Sequence, residues 1–260
     1  MPSPDAFLEV SHIAKRFGGV RAVVDCSFSV QRGTCVGLIG PNGAGKSTVI
    51  EMLSGFLSPD SGTIAFNGRE IQGRPPHRVA ARGLIRTFQS PREWQGLSVM
   101  ENMLLAADQQ GRDTAWRALF TRRKLREAEE ANLGRARELL ERFSLIKMAD
   151  HVAGSLSGGQ KRLLEFARIA MRSPLMVLLD EPCAGVNPVL QRSIEEAIVG
   201  LQRDGITLLL IEHNLPFVER ACQDIFVMAH GATIAQGTLA DLRHEPAVVD
   251  AYLGEVAAGA

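Results

Sequence analysis

The run Gly40-Pro41-Asn42-Gly43-Ala44-Gly45-Lys46-Ser47-Thr48 carries the residue types needed to hold a polyphosphate. It fits the spacing GxxxxGK[ST] throughout. Glycines let such a loop turn so that successive backbone N–H groups point inward at phosphate oxygens. A helix expected from Lys46 to about Ser54 would add its positive N-terminal end. Lys46 would supply a point charge to β- and γ-phosphates, and the Ser47 hydroxyl can ligate Mg2+. A glycine-rich turn could match this spacing by chance. The apolar run Thr34–Gly40 before it and the helix after it are the context that the motif requires.

A second constellation is Met176-Val-Leu-Leu179-Asp180-Glu181. Asp180, at the end of a buried strand beside the phosphate loop, is placed to hold Mg2+ through water. Glu181, one residue on, can polarise a water for in-line attack on the γ-phosphate. Many strands end in acidic residues, so the pair gains its meaning only beside the loop. A third is Leu156-Ser157-Gly158-Gly159-Gln160, just before a helical stretch from Lys161 to about Arg172. Taken alone it is a helix start, a serine cap followed by glycines that expose N–H groups.

These groups need a scaffold. Phe7–Phe17 and Ala22–Val30 mix apolar and polar residues in short runs and are expected as strands. Thr34–Gly40, Met176–Leu179 and Ile206–Ile211 are apolar, as central parallel strands covered on both faces would be. Ser58–Gly62 is a turn cluster, Thr63–Asn67 a short strand, and Ile225–Ala229 and Thr233–Ala235 late strands about His230-Gly231. From Asp113 to about Phe143 the positions Leu125, Ala128, Asn132, Ala136, Leu139, Leu140 and Phe143 fall three or four apart with charges between them, as in one amphipathic helix or two. The whole predicts one continuous domain over 1–256, with a helical part at roughly 90–172 and a frayed tail at 257–260.

Composition bounds the function. Hydrophobic residues make up 45% of the 260, enough for a large α/β core. Lys+Arg and Asp+Glu number 29 each, a balance that argues against a nucleic-acid partner. The four cysteines, Cys26, Cys35, Cys183 and Cys222, contain no CxxC pair, so reduced thiols are expected rather than a disulfide framework or zinc site. The start shows no signal peptide, and no stretch approaches the roughly 18 apolar residues that cross a bilayer.

Leu156–Gln160 reads LSGGQ, the signature of ABC (ATP-binding cassette) ATPases, and it lies in their order between phosphate loop and Asp180-Glu181. The whole chain resembles that family. The resemblance implies an α/β fold with a P-loop NTPase core, an antiparallel β subdomain and an α-helical subdomain, binding ATP and Mg2+. It also implies roles for three further residues. Gln89, in Arg86-Thr-Phe-Gln89, matches the glutamine that touches Mg2+ and senses a membrane partner. His213 matches the histidine at the γ-phosphate. Phe17 sits where the family sets an aromatic against adenine. After Glu181 the family commonly has Leu-Asp, where this chain has Val186-Asn187, so a charge-based role of that loop is in doubt. The loop Ala184-Gly-Val-Asn-Pro188, the run Gly83–Gln89 and the ending Val249–Glu255 resemble the ATPases of branched-chain amino-acid importers.

In that family two cassettes pair head to tail, and the Ser157–Gln160 segment of one caps the nucleotide of the other. The second cassette could be an identical copy or a paralogue. A permease would dock near Gln89–Met100, where Ser90–Met100 is expected as a loop carrying Trp94, Leu97 and Met100. The chain would then lie on the cytoplasmic face of the cell membrane through the permease. Urea or amide uptake, export and a non-transport ABC role are the alternatives. The ATPase need not touch the solute, so its sequence does not name the cargo.

Overall fold

The computed structural model describes residues 6–87, 93–107 and 122–258. Two compact units are apparent: Met1–Gln89, Leu175–Ala184 and Val199–Ala260 in the first, and Ser90–Pro174 with Gly185–Ile198 in the second.

The first unit is built on one ten-stranded sheet of order β5-β4-β1-β2-β10-β9-β3-β8-β7-β6. Its strands are β1 (Leu8–Phe17), β2 (Val20–Val30), β3 (Cys35–Ile39), β4 (Ser61–Phe66), β5 (Arg69–Glu70), β6 (Leu84–Arg86), β7 (Met176–Asp180), β8 (Thr207–Ile211), β9 (Asp224–Ala229) and β10 (Ala232–Gly237). β1, β2, β4 and β5 pair antiparallel, as the alternating sequences predict. β9, β3, β8, β7 and β6 run parallel. Every residue of β3, β7 and β8 is buried, which explains why these strands read as continuous apolar runs. The core includes Phe66 edge-on to Phe7 at 4.9 Å and Phe28 tilted on Phe226 at 5.4 Å between ring centroids. The helices α1 (Lys46–Leu53) and α2 (Pro76–Ala81) lie in this unit too. Its four cysteines are unbridged, with the Sγ atoms of Cys35 and Cys222 3.7 Å apart.

The second unit packs three helices on one another: α3 (Val99–Ala106), α4 (Arg122–Arg142) and α5 (Gly158–Arg172). Ala136, Leu140, Leu164, Phe166 and Ala167 are fully buried there, at the helical spacing seen in the sequence. The helix expected from Asp113 is described only from Arg122; the residues before it lie outside the described set. α6 (Pro188–Arg203) follows, and α7 (Leu215–Ala221), α8 (Leu239–Leu242) and α9 (Pro246–Ala258) complete the chain. α9 takes in part of the segment expected to fray. No helix among the described residues is long and apolar enough to cross a membrane.

Two differences from the sequence expectations have clear causes. α3 begins at Val99, so Met100 is helical rather than in a loop. Ser98 accepts from the Glu101 N–H at 3.1 Å and the Glu101 carboxylate accepts from the Ser98 N–H at 2.7 Å, a reciprocal cap. α5 likewise starts at Gly158 rather than Lys161, because Ser157 and Gln160 cap each other in the same way.

Candidate functional site

Parallel strands deliver their loops to one sheet edge, the usual place for ligands in such sheets. β3 ends in the phosphate loop, β7 in Asp180-Glu181 and β8 in Glu212-His213. The parallel order β3-β8-β7 thus sends all three groups to one rim of the first unit.

The loop conformation depends on glycine. Gly40 has φ 148°, and a Cβ there would meet the Met228 carbonyl oxygen at 2.0 Å. β9 backbone therefore presses directly on the start of the loop. Gly45 has φ 99° and caps α1, where a Cβ would lie 2.5 Å from the Ala22 carbonyl oxygen. Ala44 is buried in the core, while Asn42, Gly43 and Ser47 are exposed. Pro41 and Thr48 are half-buried. Lys46 is 6% exposed, and its ammonium donates to the Gly40 and Pro41 carbonyls at 2.8 and 2.9 Å. The cation is thus folded inside the loop it belongs to.

Asp180 is 2% exposed at the end of β7. Its Oδ2 accepts from Arg86 Nη2 at 2.9 Å, and its N–H donates to Thr87 Oγ1 at 3.3 Å. Oδ1 has no hydrogen-bond partner among the described residues. A buried carboxylate oxygen left without a donor suits a cation. The donor chemistry therefore fits Mg2+. No group of three or more His, Cys, Asp or Glu side chains that could hold a metal occurs among the described residues. Mg2+ in such a setting takes one or two protein oxygens and completes its shell from phosphates and water.

Glu181 leaves the strand in a left-handed turn, φ 47°, unusual for a side chain with a Cβ. Its N–H donates to the Ile211 carbonyl at 3.0 Å, and its carbonyl accepts from Ala184 at 3.1 Å. Such strain, held by surrounding bonds, is common at reactive centres. Glu181 Oε1 lies 2.9 Å from His213 Nε2, with both side chains partly open to solvent. Glu212, 5% exposed, accepts from the Cys183 N–H at 2.8 Å and from the His213 N–H at 3.2 Å. One buried carboxylate thus ties the loop after Glu181 to His213.

Phe17 closes the β1–β2 hairpin opposite Val20 and is 47% exposed. Gln89 lies outside the described residues. In the second unit Ser157 and Gly158 are exposed, and a Cβ on Gly159 would press on the tip of the Leu190 side chain, 2.5 Å from Cδ2. Asn187 is the cap of α6: its amide oxygen accepts from the Leu190 N–H at 2.9 Å. Trp94 is 45% exposed, with the Arg168 guanidinium 4.2 Å above its ring. The Asn102 side chain, fully buried, bonds both the N–H and the carbonyl of Trp94, at 3.0 and 3.1 Å. Leu97 and Met100 are half-buried.

Arg86, Thr87 and Glu212 were not singled out in the sequence. Thr87 and Arg86 reach Asp180 only through the β6–β7 pairing, which no local pattern encodes. Glu212 was visible as the acid beside His213, but its buried, loop-holding position has no sequence signal.

The ABC transporter family model matches residues 23–184. A probable branched-chain amino acid transport ATP-binding protein LivG of Archaeoglobus fulgidus is 39% identical over 247 residues, 95% of each chain. The high-affinity branched-chain amino acid transport ATP-binding protein BraF of Pseudomonas aeruginosa is 40% identical, covering 95% of this chain and 98% of that one. Among solved structures, an ATP-binding cassette of an ABC transporter in its ADP conformation superposes with a TM-score of 0.79 at 34% identity, over 96% of this chain and 99% of that one. A nucleotide-free ATP-binding cassette gives 0.78 at 35%, over 95% and 98%. The chain belongs to the ABC transporter family, and it is a nucleotide-binding ABC ATPase.

Proposed function

We propose that this chain hydrolyses ATP for an importer of branched-chain amino acids, as one of two cassettes joined head to tail. The cargo is supported by the names of relatives 39% and 40% identical to it over 95% of its length. The observation that carries the chemistry is the Glu181–His213 pair at 2.9 Å on the sheet edge where the phosphate loop and Asp180 also end.

The loop residues Gly40–Thr48 bind the phosphates through backbone N–H groups, and Phe17 stacks on adenine. Lys46 exchanges its carbonyl partners for phosphate oxygens. Glu181 orients a water and takes its proton as the oxygen attacks the γ-phosphate in line. His213 holds Glu181 from one side and reaches the γ-phosphate from the other. Ser47, Asp180 and Gln89 would hold Mg2+, which when bound neutralises charge on the β- and γ-oxygens. Ser157, Gly158, Gly159 and Gln160 act on the nucleotide of the opposite cassette, through the N–H groups at the start of α5. Each cassette carries both halves, so a head-to-tail pair, of identical copies or of paralogues, completes two sites.

We assign the ABC domain to 1–256, with its helical part at roughly 90–172. The permease docks near Gln89–Met100, where the exposed, stacked Trp94 offers a rigid aromatic anchor. The chain then sits peripherally on the cytoplasmic face of the cell membrane, with no nucleic-acid partner. Reconstitution with its permease in vesicles tests this. Leucine or valine should stimulate ATP turnover and be taken up. Stimulation by urea or an amide instead would overturn the cargo, and turnover indifferent to any permease would overturn the transport role.

A further inference from the structure

We infer that Arg86 is a positioning residue for the Asp180 carboxylate, setting which of its oxygens meets the divalent cation. This rests on the proposed role of Asp180 in holding Mg2+.

β6 is the three-residue edge strand of the sheet, and it pairs with β7 in the register Arg86↔Leu178. Arg86 is therefore offset from Asp180 and reaches along the strand to meet it. Nη2 lies 2.9 Å from Oδ2, with only 12% of the Arg86 side chain and 2% of the Asp180 side chain exposed. The next residue works on the same target. Thr87 Oγ1 accepts from the Asp180 N–H at 3.3 Å and donates to the Leu178 carbonyl at 3.4 Å. The end of β6 thus fixes both the backbone and the carboxylate of Asp180.

The contact involves one carboxylate oxygen only. A guanidinium can engage both oxygens of a carboxylate in a fork, but here Arg86 meets Oδ2, and Oδ1 has no hydrogen-bond partner among the described residues. The arginine leaves available the oxygen a cation needs and fixes the rotation that presents it. A competitor for the cation would cover Oδ1, and that is not the geometry. A paired guanidinium also offsets the cost of burying the carboxylate before a cation arrives. Groups that orient a metal ligand usually change metal affinity about 10–100-fold when removed.

The test titrates Mn2+ into the full-length protein with ATP, read by electron paramagnetic resonance, for the wild type, Arg86→Gln, Arg86→Lys and Asp180→Asn. ATP binding in EDTA and thermal melting report folding. Arg86→Gln should weaken Mn2+ binding about tenfold or more, with metal-free ATP binding unchanged. Arg86→Lys, which keeps the charge but not the planar donor, should fall between it and the wild type. Unchanged or tighter Mn2+ binding in Arg86→Gln overturns the inference. Should Arg86→Gln not fold, Arg86→Lys decides alone, and wild-type affinity in it overturns the inference. If Asp180→Asn also binds Mn2+ normally, it is the metal role of Asp180 that fails; if it loses Mn2+ while Arg86→Gln does not, only the positioning role fails.

Discussion

His213 Nε2 stands 2.9 Å from Glu181 Oε1 because β7 and β8 run in the register Asp180↔Ile211. One residue past that pair, the Glu181 N–H closes on the Ile211 carbonyl at 3.0 Å, and the chain on each strand then turns its side chain toward the other. The contact between the Glu181 carboxylate and His213 is thus a consequence of sheet register.

Glu181→Gln keeps the shape and the bond to His213 but cannot accept a proton. Turnover should fall about 10²–10⁴-fold, the range for removing a general base. ATP binding should persist, and light scattering with ATP and Mg2+ should show a stable dimer. Wild-type turnover in this variant would remove Glu181 from the chemistry.

Lys46→Met deletes the ammonium held at 2.8 and 2.9 Å by the Gly40 and Pro41 carbonyls. Those carbonyls lie at the loop itself, so the loss is local. Binding of a fluorescent ATP analogue should weaken at least about tenfold, and turnover should fall by about 10²-fold or more, as when a transition-state donor is removed. Unaltered binding would show that the loop does not hold phosphate.

Gly40→Ala and Gly43→Ala separate space from backbone strain. At Gly40 a Cβ overlaps the Met228 carbonyl oxygen, whereas at Gly43, φ 74°, nothing lies within 4 Å. Gly40→Ala should cost at least about 2–3 kcal/mol through strain and displaced backbone. Gly43→Ala should cost about 1–2 kcal/mol, the left-handed penalty alone. Chemical denaturation measures both, and equal losses would contradict the packing of β9 on the loop.

Glu93 and Lys161 form an ion pair at 2.9 Å in the second unit, with 4% and 22% of their side chains exposed. Removing the exposed partner strands the buried one, so Lys161→Met should cost more than Glu93→Gln, about 1–3 kcal/mol against a smaller loss. Burial would raise the Glu93 carboxyl, but its bond to Lys161 and further hydrogen bonds outweigh that and hold it below the ordinary 4.5. The folded value is lowered, so this stability is present above about 4.5 and is lost as pH falls through the folded value. Denaturation of wild type and Glu93→Gln at neutral and acid pH should converge on the acid side; a gap that widens there would contradict the pairing.

The strands β3, β7 and β8 were legible because complete burial leaves only apolar residues in them, and the phosphate loop because its glycines are needed at specific positions. Asp180 and Glu181 were legible at the end of an apolar strand, and His213 through the family resemblance. What escaped was short or long-range. α2 spans Pro76–Ala81 and α3 Val99–Ala106, too brief for helical periodicity to register, although the Ser98–Glu101 cap was a usable signal for α3. Arg86 and Asp180 stand far apart in sequence and meet only because β6 pairs with β7.

In the proposed head-to-tail pair, Lys46 and Ser157 of one chain act on different nucleotides. Lys46→Met breaks a chain's own loop, and Ser157→Arg fills the exposed start of α5. Each variant alone should be inactive. Mixed, they form pairs in which one intact loop meets one intact Ser157–Gln160 segment, and ATP turnover should return to roughly a quarter of wild type for random pairing of independent sites. No recovery on mixing, with dimers present, would contradict the head-to-tail site.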